Sequence, residues 1–451
     1  MDATTERLVD YAMGIAYENL PAATVAACRQ RLLDTLGCVA GAYDHPLSQS
    51  VRALAGRYTM DTPATILGSG QRTAPEMAAF ANGVMLRFMD LSDMYRLKSG
   101  GHPSDIIAAV LVASEIGRRD GRSLIAAIAL GYEVYCSFCD GIDINSDGWD
   151  QPVYGVVASA LAAGWLIGLD REQMGHAVAL AITPNMAMYQ TRQGELSAWK
   201  GCAAANGARN GVFAALLAQS GVTGPFEPIE GRDGLWDAVG RFDWPLEPGV
   251  APDRITRTHL KCFPICYHGQ TAVWTALELR DRAPADRIAA IKISTYNTAK
   301  RVMGSDPSRW APETHETADH SLPYVVGLAL LDGEIGDASF SPARLHDPRM
   351  KALMAATSVE EDSALTAIYP ESSPSDIAVR LTDGSEIRHA LRYPKGHAMA
   401  PMSDSEVTDK FIGLFGGYRS REDAAAVIDL VARLDDMTDI GELFAVFARG
   451  N

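Results

Sequence analysis

From residue 5 to about 217 the chain is a succession of alanine-rich segments with helical periodicity, at 22–39, 75–89, 106–117, 124–135, 156–167, 171–182 and 203–217. Several open on capping signals, such as Ser104-Asp105 after Pro103, or Asp170-Arg171-Glu172. Residues as small as Ala and Gly let helices approach closely. This half is therefore expected to form a compact all-helical body.

Composition changes at 221–258, where Gly, Pro, Trp and acidic residues cluster into an expected long loop or linker at a domain boundary. Beyond it, 271–282 reads as a helix and 288–296 (I-A-A-I-K-I-S-T-Y) as a strand. Residues 321–331 return to helix, while 377–381 and 386–393, split by Thr382-Asp383-Gly384-Ser385, give a hairpin signal. Two further helices are expected at 404–415 and 421–434. The expected class is mainly α: a large all-helical domain with a smaller α+β lid domain inserted before the C-terminal helices. The boundaries are 1–257, 258–400 and 401–451.

The 451 residues carry 40 Lys+Arg against 56 Asp+Glu, a formal charge of -16 with neutral His. A field of that sign repels phosphate backbones and anionic membrane surfaces, so neither nucleic acid nor membrane is an expected partner. An acidic substrate needs a local pocket of cations working against the global charge. No secretory leader is visible at the N-terminus and no run approaches the ~18 apolar residues of a membrane helix. Seven cysteines, an odd number in a long chain, read as reduced thiols. A cytoplasmic location is expected. Cys136-x-x-Cys139 lies in an apolar stretch without a second ligand pair nearby, so core cysteines are expected rather than zinc or redox chemistry.

Nucleotide-binding glycine motifs, H-E-x-x-H and a nucleophile elbow are absent. Five polar clusters remain. In 87–105, Asp90 and Asp93 end one helix and His102 precedes the Pro-Ser start of the next, an arrangement for acid–base work with a carboxylate positioning the imidazole. The alternative is solvated acids and a His in a turn. In 148–155, Asp150 and Tyr154 suit a pocket wall or a helix cap. In 190–210, Arg192, Lys200 and Arg209 are candidates to bind carboxylates, against the reading of snorkelling surface cations. In 261–270, Lys261 and His268 flank a proline-fixed turn at the expected domain junction. A Cys266–His268 thiol dyad is conceivable there, but i, i+2 neighbours rarely face each other. In 312–321, His315, Glu316, Asp319 and His320 could suggest a metal site, and a capped helix start is the preferred reading.

In this order and spacing the segments 87–105, 148–155, 199–218, 261–273 and 312–327 resemble the MmgE/PrpD family over nearly the whole chain. That family includes 2-methylcitrate dehydratase, cis-aconitate decarboxylase and iminodisuccinate epimerase. The resemblance implies a helical domain built from both chain ends, a lid, a homodimer, a small di- or tricarboxylate substrate, and catalysis without metal or organic cofactor. Asp90 and His102 match the family's acid and His of the first segment, and Lys261 its lysine. Arg209 stands where decarboxylase-like members carry lysine. His268 follows the dehydratase form, whereas the decarboxylase His falls at Cys266. Asp150 replaces a His of the decarboxylase and epimerase members.

The expected activity is therefore a hydro-lyase on a 2-methylcitrate-like hydroxy-polycarboxylate. The alternatives are an epimerase or decarboxylase of a related acid, or a non-catalytic carboxylate-binding homologue. His102 and His268 are the expected acid–base pair, with Asp90 tuning His102. Lys261, Lys200, Arg192 and Arg209 are expected to clamp carboxylates, with Asp93, Asp150 and Tyr154 lining the site.

Overall fold

Helices hold 56% of the residues in the computed structural model, and the sheets are small, so the class is mainly α. The structure describes residues 1–449. These fall into two compact units. The first comprises 1–191, 199–258 and 403–449, the second 192–198 and 259–402.

In the first unit the small-residue composition becomes close packing. The helix Trp199–Gln219 lies against Pro152–Ile167 and Pro75–Arg87. A Cβ on Gly211 would fall 2.4 Å from the Ser159 Cβ, so a larger residue would push these helices apart. Sequence signals set several helix starts. Asp170 forms a capping box with Gln173, and Ser403 and Ser420 do the same with Glu406 and Asp423. The Ser104-Asp105 signal works differently: Asp93, eleven residues earlier, accepts the Ser104 N–H at 3.1 Å. Two short antiparallel ladders, Ala64–Thr65 with Arg72–Thr73 and Tyr95–Arg96 with Gly100–Gly101, interrupt the helices.

The stretch at 221–258 is mostly loop, as expected, with the short helices Leu235–Val239 and Arg254–Arg257, and it is packed down rather than free. Trp244 is fully buried against Phe138, and its indole N–H donates to the Ser137 hydroxyl at 2.9 Å. Burying two aromatic rings anchors the loop without giving it regular structure. The helix Gly121–Gly141 also departs from expectation. By length and composition it could cross a membrane, yet it is almost entirely buried inside the protein.

Its first residue makes a sharp prediction. The Gly121 N–H donates to the Met437 carbonyl at 2.9 Å, and a Cβ there would fall 1.6 Å from the Leu434 carbonyl oxygen. Gly121→Ala should cost roughly 1–3 kcal/mol through overpacking. Gly413→Ala, on the exposed face of Asp404–Phe415 with nothing within 4 Å, should stabilise by up to about 1 kcal/mol. Urea midpoints of the two variants should move in opposite directions.

The second unit is built on a four-stranded sheet in the order Thr357–Glu361, Ile288–Thr295, Ser375–Leu381, Glu386–Leu391. The first pair is parallel and the others antiparallel, with Ile293 opposite Ile377 and Ile291 opposite Val379. Those four residues form the buried face, in one core with residues of the helices Tyr267–Arg280 and Leu322–Leu331. Full burial of each aliphatic side chain contributes roughly 1.5–3 kcal/mol.

Candidate active site

The helix Pro75–Arg87 ends at Arg87, and three residues later Asp90 adopts a left-handed backbone with φ 49°. A non-glycine residue held there stores strain of order 1–3 kcal/mol and marks a position fixed by its surroundings. Those surroundings are charged. Asp90 Oδ1 accepts from Arg87 Nη1 at 2.8 Å, and Oδ2 lies 3.4 Å from Lys200 Nζ. Arg87 Nε is 3.8 Å from Asp105 Oδ1. Asp90 is 1% exposed and Lys200 3% exposed, so neither is a solvated surface charge.

His102 completes the group, with Nε2 3.8 Å from Asp90 Oδ1. Its Nδ1 sits 2.5 Å from the Asp93 backbone carbonyl, which can only accept. The proton is therefore on Nδ1, and in the neutral ring Nε2 carries the lone pair. The backbone of this segment is fixed from below by the Tyr135 hydroxyl, 2.9 Å from the His102 N–H. Burial pushes the Asp93 carboxyl above its usual range, opposed by hydrogen bonding from Ser104. The Asp93 carboxylate accepts the Ser104 N–H and its backbone carbonyl meets His102 Nδ1, so both of its oxygen groups contact the His102 turn.

The remaining residues of the first unit are placed differently. Asp150 Oδ1 accepts the Gln151 N–H at 2.9 Å, beside the start of the helix Pro152–Ile167. Tyr154 is fully buried and its hydroxyl donates to the Gly100 carbonyl. Arg209 lies nine residues after Lys200 on one helix, two and a half turns on and so half a turn out of phase. It reaches Asn206 Oδ1 at 3.4 Å. Cys136 and Cys139 are buried, and burial raises both thiols well above their ordinary values, which disfavours the thiolate.

In the second unit, His268 Nδ1 is 2.6 Å from the Tyr296 hydroxyl, and the Tyr296 ring stacks on Tyr369 with centroids 4.4 Å apart. Burial drives the Tyr296 phenol well above its usual range, so it stays protonated. Lys261 is buried, with Nζ 3.3 Å from the Ile265 carbonyl. Arg192 belongs to the short segment 192–198, which is pinned to the second unit by the Leu196 N–H donating to Thr317 Oγ1. The capped helix start expected at 312–321 forms: Thr314 caps His315–Ala318 and Ser321 caps Leu322–Leu331. His315 stacks on Phe340, while His320 pairs with Asp319.

Arg87 and Asp105 of the first unit bound the 87–105 cluster without a role assigned to them from sequence, and Tyr296 of the second unit lies outside every cluster. Arg87 had a local signal in its spacing, three residues before Asp90. Asp105 had a signal only as part of the Ser104-Asp105 cap, and Tyr296 had none.

Comparison with known proteins agrees with the motifs. Residues 6–245 match the MmgE/PrpD N-terminal domain and residues 263–436 the MmgE/PrpD C-terminal domain. The chain is 28% identical to a 2-methylcitrate dehydratase of Cupriavidus necator, over 86% of this chain and 85% of that protein. It is 26% identical to a 2-methylcitrate dehydratase of Escherichia coli K12, over 90% and 88%. It is also 25% identical to the cis-aconitate decarboxylase of Mus musculus, over 98% and 93%. Two family domains matched in order along one chain establish the relationship, and the chain belongs to the MmgE/PrpD family.

Proposed function

We propose that this protein is a lyase that removes water from a hydroxy-polycarboxylate resembling 2-methylcitrate. The observation that carries the reading is His102, whose Nδ1–H is held on the Asp93 carbonyl so that Nε2 is the accepting nitrogen, beside the buried cations Arg87 and Lys200. Such a group can take a C–H proton next to a carboxylate while cations stabilise the charge that develops on it. The similarity to two 2-methylcitrate dehydratases supports the substrate class.

His102 is the base in this reading, and Asp90 tunes and positions it. Lys200 binds a substrate carboxylate. His268 is a second proton-transfer candidate, and Lys261, Arg192 and Arg209 bind carboxylates, as the resemblance implies. Asp93 and Tyr154 support the site, and Asp150 lines it. The same resemblance supports a cytoplasmic homodimer that works without metal or organic cofactor.

Incubating the purified protein with 2-methylcitrate, cis-aconitate and iminodisuccinate, with NMR detection of products, tests the reaction. Loss of water from the hydroxy acid is expected. Turnover of cis-aconitate or iminodisuccinate instead would replace dehydration by decarboxylation or epimerisation, and binding without turnover would make the protein a carboxylate-binding homologue.

A further inference from the structure

Asp319 and His320 lie between two helices of the second unit, and the backbone around them is pinned. The Asp319 carbonyl accepts the Cys266 N–H at 3.0 Å, and its own N–H donates to the His315 carbonyl at 3.0 Å. The next residue, Ser321, donates its hydroxyl to the Arg309 carbonyl and caps the following helix. Asp319 is buried and its Oδ1 meets His320 Nδ1, while His320 is 9% exposed. A carboxylate on Nδ1 fixes the ring's orientation and tautomer and leaves Nε2 as the working nitrogen.

The three histidines differ in what holds Nδ1. For His102 it is a neutral carbonyl, for His268 a phenol that stays protonated, and for His320 an anion. An anion at hydrogen-bond distance favours the imidazolium; the Nδ1 partners of the other two add no full charge, and the carboxylate near His102, Asp90, stands farther off, 3.8 Å from Nε2. Facing the pair are Arg309, buried and electrostatically coupled to Asp319, and Cys266.

We infer that His320, oriented and charged by Asp319, is the proton donor of the reaction. This rests on the dehydration proposed above. His320 Nε2–H gives its proton to the departing hydroxyl, which leaves as water when the C–O bond breaks. The electron pair of the broken C–H bond forms the C=C bond, and that proton goes to the base. His320 ends neutral and is reprotonated from solvent. His268 is then the neutral hydrogen-bonding imidazole rather than the acid.

The test uses Asp319→Asn and His320→Gln in the full chain, with kcat/KM followed against pH and the histidine side chains titrated by NMR. His320→Gln should lower kcat by about 10²-fold or more. Asp319→Asn keeps the shape and removes the charge. It should shift the alkaline limb of the profile, and the NMR titration of His320, about one unit toward acid. A merely structural role would lower stability and leave the limb in place. The inference is overturned by a kcat within threefold of wild type in His320→Gln, or by a His320 titration that Asp319→Asn does not move. A wild-type protein that dehydrates no hydroxy-polycarboxylate sinks the underlying reading instead, and the NMR titration still decides the Asp319–His320 coupling on its own.

Discussion

His102→Gln should lower kcat by roughly 10²- to 10⁴-fold, the usual contribution of a positioned general base. Glutamine approximates the volume of the ring but offers no basic lone pair, so the proton next to the carboxylate has no acceptor. The substitution also removes the Nδ1–H bond to the Asp93 carbonyl, a contact worth about 1 kcal/mol. Folding should therefore survive while chemistry does not. Steady-state kinetics on whichever acid the substrate panel identifies, alongside circular dichroism of the same sample, separates these two effects. A kcat within a few-fold of wild type would remove His102 from the mechanism.

Asp90→Asn should have the largest effect on stability. Asparagine tolerates the left-handed backbone at this position better than most residues, so the substitution isolates the charge. The Arg87 and Lys200 side chains, 2% and 3% exposed, then face each other's charge with one anion fewer between them. Leaving a buried charge uncompensated costs roughly 3–5 kcal/mol. Adding Lys200→Met to Asp90→Asn should recover part of the loss, and a double-mutant cycle in urea measures that coupling. Simple additivity of the two substitutions would show that Lys200 and Asp90 are not energetically linked.

Helices were legible where sequence carries the signal locally. The expected 171–182 coincides with Arg171–Ile182, because Asp170 and Gln173 close a capping box within one turn. The strand Thr357–Glu361 had no such signal. It is a polar, half-exposed edge whose parallel partner Ile291–Thr295 is about sixty residues away, so nothing in T-S-V-E-E marks it. The candidate site divides in the same way. Asp90 and His102 belong to one recognisable segment. The meeting of Asp90 with Lys200, more than a hundred residues on, is decided by helix packing alone. Arg209 and Lys200 share one small-residue helix, and the nine residues between them put the two half a turn apart, a relation that helical spacing alone makes legible. Asp319–His320 was visible as a dipeptide, but the equally visible capping pattern around it is also formed, and sequence offers no reason why both should hold.

The first unit is assembled from pieces that the ribosome delivers at different times. Residues 1–191 and 199–258 emerge early, and 403–449 emerge only after the whole second unit has been made. At roughly 5–20 residues per second, that delay is on the order of ten seconds. Throughout it, the nascent helices lack Phe411, Phe415 and Phe447, which end fully buried in the finished protein. The Met437 carbonyl that receives the Gly121 N–H is missing as well. The second unit, nearly continuous in sequence, can close first. During synthesis this chain therefore carries an open apolar seam that its own last helices must seal, a period in which chaperone binding is favoured.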